Sequence, residues 1–298
     1  MITILGASGH IGGKIADILI KKDIAVRLVA RHVDALKPRV KKHVEVMAGD
    51  INDTEFLAKA LKGSDAVYTL IPPDLTTKNF LSYADGVGAS IGKAIELAKV
   101  PFVVNLSSIG AELSEGTGPI VGLHRQEERL NRIKDTHILH VRAAYFMENL
   151  LGNVDLIKSK GIAGTAIRGD IKFPMIASRD IATYIAERLM KKDFKGHTVH
   201  YLAGERDLSL IEATEIIGRK IGKPGLPYLM FPYDEAEKGL TSMGLSPDMS
   251  KRYVEMSRAF NEGRVKPEAR SRDNTTPTSI ESFCDDVFVP LFMQKKVA

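Results

Sequence analysis

The first thirty-one residues constrain this chain more than any other stretch. Ile2 to Leu5 is a short apolar run, Gly6-Ala7-Ser8-Gly9-His10-Ile11-Gly12 follows at once, and Ile11, Ile15, Ile18 and Leu19 then recur at helical spacing. A second apolar run, Ala25 to Ala30, ends at Arg31. The pattern reads as strand, glycine turn, helix, strand, the opening of a dinucleotide-binding unit. Gly6 lets the chain leave the strand in a tight turn. Gly9 leaves room for a pyrophosphate to approach the backbone, and Gly12 (or Gly13) lets the helix pack closely on the strand. The free amides at the helix start, with the helix dipole behind them, then face the phosphates, which adds Ala7, Ser8, His10 and Ile11 to the expected cofactor contacts. The spacing is Gly-x-x-Gly-x-x-Gly rather than the commoner Gly-x-Gly-x-x-Gly. Its place directly after an N-terminal strand and at the mouth of a helix is what carries the reading.

The end of the second strand selects the nucleotide. A site for NAD usually has Asp or Glu there to bond the ribose hydroxyls, whereas this chain has Arg31 and His32, with no acid until Asp34. A guanidinium suits a 2′-phosphate, so the expected cofactor is NADPH/NADP, with NAD disfavoured. The plainer alternative is that Arg31 is a solvated strand-end charge.

With 298 residues and 44% hydrophobic content, the chain can bury a large α/β core. Its 42 basic residues are interleaved with 37 acidic ones, for a net charge of +5, too balanced to point to nucleic acid. The densest basic region, Lys251 to Arg272, also holds Glu255, Glu262 and Glu268 and reads as a solvated helical face. Cys284 is the only cysteine, and no Cys/His cluster has metal-ligand spacing, so no metal is expected. A start directly on a core strand and the lack of a membrane-length apolar run suggest a soluble cytoplasmic protein.

Taken in order, Val44 to Ala48 reads as a third strand ending in Gly49-Asp50-Ile51, with Asp53 capping a helix over Thr54 to Leu61 that Gly63 closes. Asp50 and Ile51 stand where an adenine would lie, although Asp50 serves a turn equally well. Ala66 to Ile71 is the fourth strand, stopped by Pro72-Pro73, a rigid edge that either passes against the cofactor or stiffens a loop. Asn79 to Lys99 is a long helix, Phe102 to Leu106 a fifth strand followed by Ser107-Ser108, Leu123 to Ile133 a charged amphipathic helix, and Ile138 to Val141 a sixth strand. This alternation predicts a Rossmann-like, doubly wound parallel sheet in the order 3-2-1-4-5-6, with the ligand cleft over strands one and four. Residues 1–150 form the NAD(P)-binding core. Residues 151–298, with helices over Asp180 to Met190 and Ser209 to Ile221 and a strand over Thr198 to Leu202, form a smaller C-terminal α/β lobe. That lobe completes the core and, with Lys223 to Pro232, supplies the substrate pocket.

A serine after strand five followed by Tyr-x-x-x-Lys would mark a standard short-chain dehydrogenase, in which the lysine lowers the tyrosine's pKa. No tyrosine here has a lysine four residues later. The chain instead resembles the NmrA-like family of atypical short-chain dehydrogenases/reductases. The likeness is carried by Gly6-Ala7-Ser8-Gly9-His10-Ile11-Gly12, Arg31, Gly49-Asp50, Asn105-Leu106-Ser107-Ser108 and Val141-Arg142…Tyr145-Phe146-Met147-Glu148-Asn149-Leu150. It extends through Ser178-Arg179-Asp180-Ile181-Ala182 to Thr276-Pro277-Thr278-Ser279-Ile280-Glu281-Ser282-Phe283.

The resemblance implies one of two roles. Some members reduce quinones, dyes or phenolic ethers with NADPH; others bind the nucleotide and act as redox-sensing regulators of a protein partner. Where phenolic-ether members carry a lysine, this chain has His124, as in the type-2 quinone oxidoreductases and triphenylmethane-dye reductases. Hydride transfer to a strongly electrophilic acceptor needs mainly that two rings be stacked and oriented. His124 then bonds the substrate oxygen or the cofactor ribose, or simply serves its own helix. Tyr145 and Phe146 wall the nicotinamide pocket or pack into the core. The expected cofactor set is completed by Ile71, Pro72, Ser107, Ser108, His124, Tyr145 and Phe146, and the expected catalytic pair is His124 and Tyr145. A small aromatic substrate and a homodimer fit this reading, though no interface is diagnostic in the sequence.

Overall fold

The computed structural model describes residues 1–294; residues 295–298, the end of the expected C-terminal lobe, lie outside the described residues. The chain runs through β1 (Ile2–Leu5), α1 (His10–Lys21), β2 (Val26–Ala30), β3 (Val44–Ala48), α2 (Thr54–Leu61), β4 (Ala66–Thr69), α3 (Phe80–Ala98), β5 (Phe102–Ser108), α4 (Ile120–Leu130) and β6 (His137–Ala143). It continues through β7 (Tyr145–Phe146), α5 (Val154–Lys160), β8 (Ala163–Thr165), β9 (Phe173–Ile176), α6 (Ser178–Lys191) and β10 (His197–Leu202). Then follow β11 (Asp207–Leu208), α7 (Leu210–Lys220), β12 (Tyr228–Met230), α8 (Tyr233–Ser242) and α9 (Pro247–Asn261).

One sheet of seven strands organises the molecule, in the order β10-β6-β5-β4-β1-β2-β3. Every pairing in it is parallel. The expected order of the first six strands is found, and β10 adds a seventh beyond β6. Side chains alternate between two cores. Ile2, Ile4, Tyr68, Val104, Leu139 and Val141 face α1 and α6, while Leu5, Val29, Val67, Val103 and Ile138 face α2 and α3. Burial on both faces is why these strands read as nearly continuous apolar runs. Two smaller sheets lie beyond β6: β7 and β11 flank β9, and β8 pairs with β12.

Several boundaries differ from expectation. β4 stops at Thr69, before Ile71, because Pro72 and Pro73 cannot extend a ladder. β5 and β6 each run two residues further at the carboxyl end, paired to Ser108↔Ala143, so both serines belong to the strand, and β6 also starts one residue earlier, at His137. Helix α4 starts at Ile120 rather than Leu123, behind Pro119, because Ile120 and Val121 are buried and extend its apolar stripe. It ends at Leu130, with Asn131 as its cap. Val33–Arg39, unassigned from sequence, is a 3-10 segment. The expected cap Asp53 accepts from the Phe56 amide at 3.0 Å, and Asn79, expected as the first residue of its helix, is instead the cap of α3, accepting from the Ser82 amide at 3.0 Å. Helix α6 begins at Ser178, two residues before the expected Asp180, because Glu148 accepts the Ser178 amide and hydroxyl and so fixes the first turn.

Candidate functional site

The carboxyl ends of β1 to β6 line one edge of the sheet. At the end of β1, Gly6 has φ +67°, and the Gly9 amide donates to the Gly6 carbonyl at 2.9 Å, closing the turn. Gly12 packs against that turn so closely that a Cβ would overlap the Gly6 carbonyl. Helix α1 therefore starts directly over the strand end, with Ser8, Gly9 and His10 exposed and no acidic side chain in its first turn. Its first-turn amides have no intrahelical acceptors, and nothing negative competes for them.

Around this turn the other strand ends present different chemistry. Arg31, beyond β2, is exposed and makes no hydrogen bond or ion pair among the described residues. Asp50, beyond β3, accepts from the Asn52 amide at 2.9 Å and its Nδ2 at 3.1 Å, so it does close a turn; Ile51 beside it is half-buried. Ile71 is buried and Pro72 half-buried beyond β4. In the same loop, hydrogen bonds from the Thr76 amide and hydroxyl hold Asp74 below the usual carboxylate range, and the Arg31 charge lowers it further. Asp74 thus shares a field with Arg31, which sequence spacing gave no means to see.

Ser107 does not offer its hydroxyl to the cleft. It is buried and donates to Glu127 Oε1 at 2.5 Å. Glu127 also accepts from Arg142 Nη2 at 2.6 Å and Nε at 3.1 Å, and Arg142 Nη1 donates to the Tyr201 hydroxyl at 2.7 Å. Burial works against the Arg142 charge, but its bonds to Glu127 outweigh that and hold its pKa above the ordinary value. This network ties α4 to β5, β6 and β10. The Ser108 hydroxyl donates to the Ile109 carbonyl at 2.9 Å.

His124, in α4 and half-buried, sets Nδ1 2.9 Å from the Ala111 carbonyl. A carbonyl only accepts, so Nδ1 carries a proton and donates, which leaves Nε2 as the ring nitrogen open to another partner. Tyr145, the first residue of β7, packs against Phe173 with ring centroids 5.2 Å apart and planes tilted by 57°, and Phe173 in turn meets Phe260 of α9 at 5.6 Å. Its phenol has no hydrogen-bond partner among the described residues, and burial pushes its pKa up. Phe146 is half-buried and packs against the core on the α1 and α6 face.

Two tyrosines belong to this neighbourhood that sequence reasoning missed. Tyr228 lies inside the expected pocket segment, but its hydroxyl is taken by Thr165 and the Ile167 carbonyl, both at 2.7 Å, and burial raises its pKa to about 12. Tyr253 lies on α9, within the stretch expected to be a solvated face. That helix instead buries Met249, Val254, Ser257, Ala259 and Phe260, because its charges alternate with an inward stripe. Met249, Tyr253, Met256 and Phe260 recur at helical spacing, the signal that could have found it.

Comparisons with known proteins agree with this architecture. A family model described as the NmrA-like family matches residues 1–293. An NAD(P)H azoreductase of Xenophilus azovorans is 24% identical over 254 residues, covering 84% of each chain. An NADPH-dependent quinone oxidoreductase of Escherichia coli, solved with NADPH, superposes with a TM-score of 0.82 at 19% identity over 97% of this chain and 100% of that one. A triphenylmethane reductase of Citrobacter sp., solved with NADP(H), superposes with a TM-score of 0.80 at 19% identity over 96% of this chain and 99% of that one. At these identities the two structures speak to the fold.

Proposed function

The chain belongs to the NmrA-like family, and from that premise we propose that it is an NADPH-dependent oxidoreductase transferring hydride to a small aromatic electrophile such as a quinone or dye. The observation that carries the reading is the pairing of an open α1 amide turn with an unpartnered Arg31 at the next strand end. The neighbouring reductases solved with NADPH or NADP(H) support it.

The residues fit such a cofactor. The cradle at Gly12, which a side chain would fill, and the first-turn amides of α1 suit a pyrophosphate. The guanidinium of Arg31 suits a 2′-phosphate, and Asp50, Ile51, Ile71 and Pro72 suit the adenosine side and floor of the cleft. Ser107 contributes backbone only, since Glu127 holds its hydroxyl. When bound, NADPH supplies the hydride. The chain's own part is to orient, exclude water and handle one proton. With Nδ1 pledged to the Ala111 carbonyl, His124 has Nε2 left for a ribose hydroxyl. Tyr145 keeps its proton well above neutral pH and can donate a hydrogen bond to an acceptor's oxygen. The half-buried ring of Tyr145, held in place by buried Phe173, suits contact with a flat ring.

The test is titration with NADPH and NADH, followed in the same cuvette by a panel of quinones and dyes. NADPH is expected to bind more tightly than NADH and to lose its nicotinamide absorbance on adding an acceptor. Arg31→Ala is expected to weaken NADPH by about tenfold or more, as for a charge-assisted phosphate contact, and NADH hardly at all. Equal losses would remove the 2′-phosphate assignment. Tight binding with no turnover on any acceptor would favour a nucleotide-sensing regulator.

A further inference from the structure

Helix α9 touches both cores of the sheet. Met249 belongs to the core on the α2 and α3 face and Tyr253 packs against it, whereas Ala259 and Phe260 belong to the core on the α1 and α6 face and Met256 packs there. A single helix reaches both faces of a sheet only by passing over an edge. Three anchors identify that edge. The Ser246 amide, at the helix start, donates to the Leu75 carbonyl at 2.8 Å, in the loop after β4. Asp248 accepts the Phe80 amide at 2.8 Å, at the start of α3. Gly118, in the loop after β5, lies so close that a Cβ would overlap the Arg252 carbonyl. These connections follow the carboxyl ends of β4 and β5, so α9 crosses above those strand ends, and Tyr253 sits between its two core contacts.

Polar groups around this crossing are mostly committed. The Tyr228 hydroxyl is held by Thr165 and the Ile167 carbonyl, and His124 Nδ1 is held by the Ala111 carbonyl. The phenols of Tyr145 and Tyr253 have no hydrogen-bond partner among the described residues, like those of Tyr68 in the sheet and Tyr83 on α3. Tyr145 and Tyr253 are close enough that Tyr253 adds to the upward shift of Tyr145. Partial burial likewise raises the pKa of the half-buried Tyr253 phenol, which stands as a donor with no acceptor among the described residues.

We propose that Tyr253 is a specificity-determining residue of this site, its hydroxyl donating a hydrogen bond to a carbonyl oxygen of the acceptor and so selecting flat aromatic carbonyl compounds, quinones, over acceptors with no oxygen there. The proposal rests on the reductase reading above. A ligand that covers a donor and leaves it unpaired is disfavoured, and this is a stronger discriminator than pocket shape alone.

Tyr253→Phe keeps the ring and removes only a hydroxyl without a partner among the described residues, so its melting temperature and NADP⁺ affinity should match the parent chain. Two measurements decide the proposal. In the first, 1,4-naphthoquinone is titrated into the NADP⁺-bound protein, where no turnover occurs; its Kd should rise about tenfold in the variant, the loss expected for one hydrogen bond. In the second, NADPH-driven kcat/KM should fall about tenfold for 1,4-naphthoquinone and stay level for malachite green, a dye with no carbonyl. Equal loss on both acceptors would mark Tyr253 as a packing residue and overturn the proposal. An unchanged naphthoquinone Kd, or no naphthoquinone binding by the parent chain, would overturn it as well. A parent chain that binds naphthoquinone yet reduces neither acceptor would sink the reductase reading, and the Kd comparison would still decide Tyr253.

Discussion

His140 is held neutral by its neighbours. Asn105 Nδ2 lies 3.1 Å from its Nδ1 and Asn131 Oδ1 lies 3.0 Å from its Nε2, so the amide donates to Nδ1 and the Nε2 proton goes to Asn131. Burial lowers its pKa to about 4, against the opposing pull of Glu127. The sign of the consequence follows. In the unfolded chain the imidazole takes up a proton near its ordinary 6.5, and the folded chain refuses it until about 4. Stability contributed by the neutral ring is therefore full above about pH 6.5 and is lost as the pH falls to about 4, on the order of 3 kcal/mol in all. Urea midpoints measured at pH 7 and at 4.5 should drop less in His140→Gln than in the parent chain; parallel drops would show that this histidine does not carry the acid sensitivity. Ser107 shows the limit of reading single residues. A serine at a strand end suggests an exposed hydroxyl, but Glu127, twenty positions on and turned inward by Arg142, takes it. No local spacing encodes that pairing.

Elements were legible where periodicity and punctuation act locally. The glycine turn, the capped helices α2 and α3, and the alternation that orders β1 to β6 all rest on neighbours within a few residues. The role of α9 rests on contacts across the chain, so its charges suggested a solvated face while its opposite stripe bridges two cores. Gly118 is where this bridge is most exposed to change. It has φ +61°, and a Cβ there would meet the Arg252 carbonyl. Gly118→Ala is expected to cost about 2 kcal/mol from the left-handed backbone alone, and more as α9 is pushed off the loop after β5. Because the α1 turn is built from other residues, NADPH affinity should change little while acceptor kcat/KM falls tenfold or more. Calorimetry with parallel nucleotide and acceptor titrations checks this, and a variant losing NADPH binding in step with turnover would mean that α9 does not act on the acceptor side selectively.

At the scale of the whole molecule, the question is whether residues 1–150 and 151–298 are separable units or two halves of one cooperative fold. The second half supplies β10, which pairs with β6 from His197↔Ile138 to Leu202↔Ala143. It also supplies α6, whose Ile181, Ala182, Ile185 and Leu189 share a core with Ile15, Ala16 and Leu19 of α1. A chain cut after residue 150 would keep the nucleotide turn and six strands, yet it would leave that apolar face of the sheet largely in water and the β6 edge unpaired. Burial of that face is what offsets the backbone entropy of ordering the sheet. The 1–150 fragment should therefore show no cooperative thermal transition and should bind a hydrophobic dye. The full chain should melt in one transition that NADPH raises, by about 2.7 kcal/mol at a hundredfold excess over Kd. A fragment that melts cooperatively and still binds NADPH would make the first half a self-sufficient domain and reduce α6 and β10 to an outer layer.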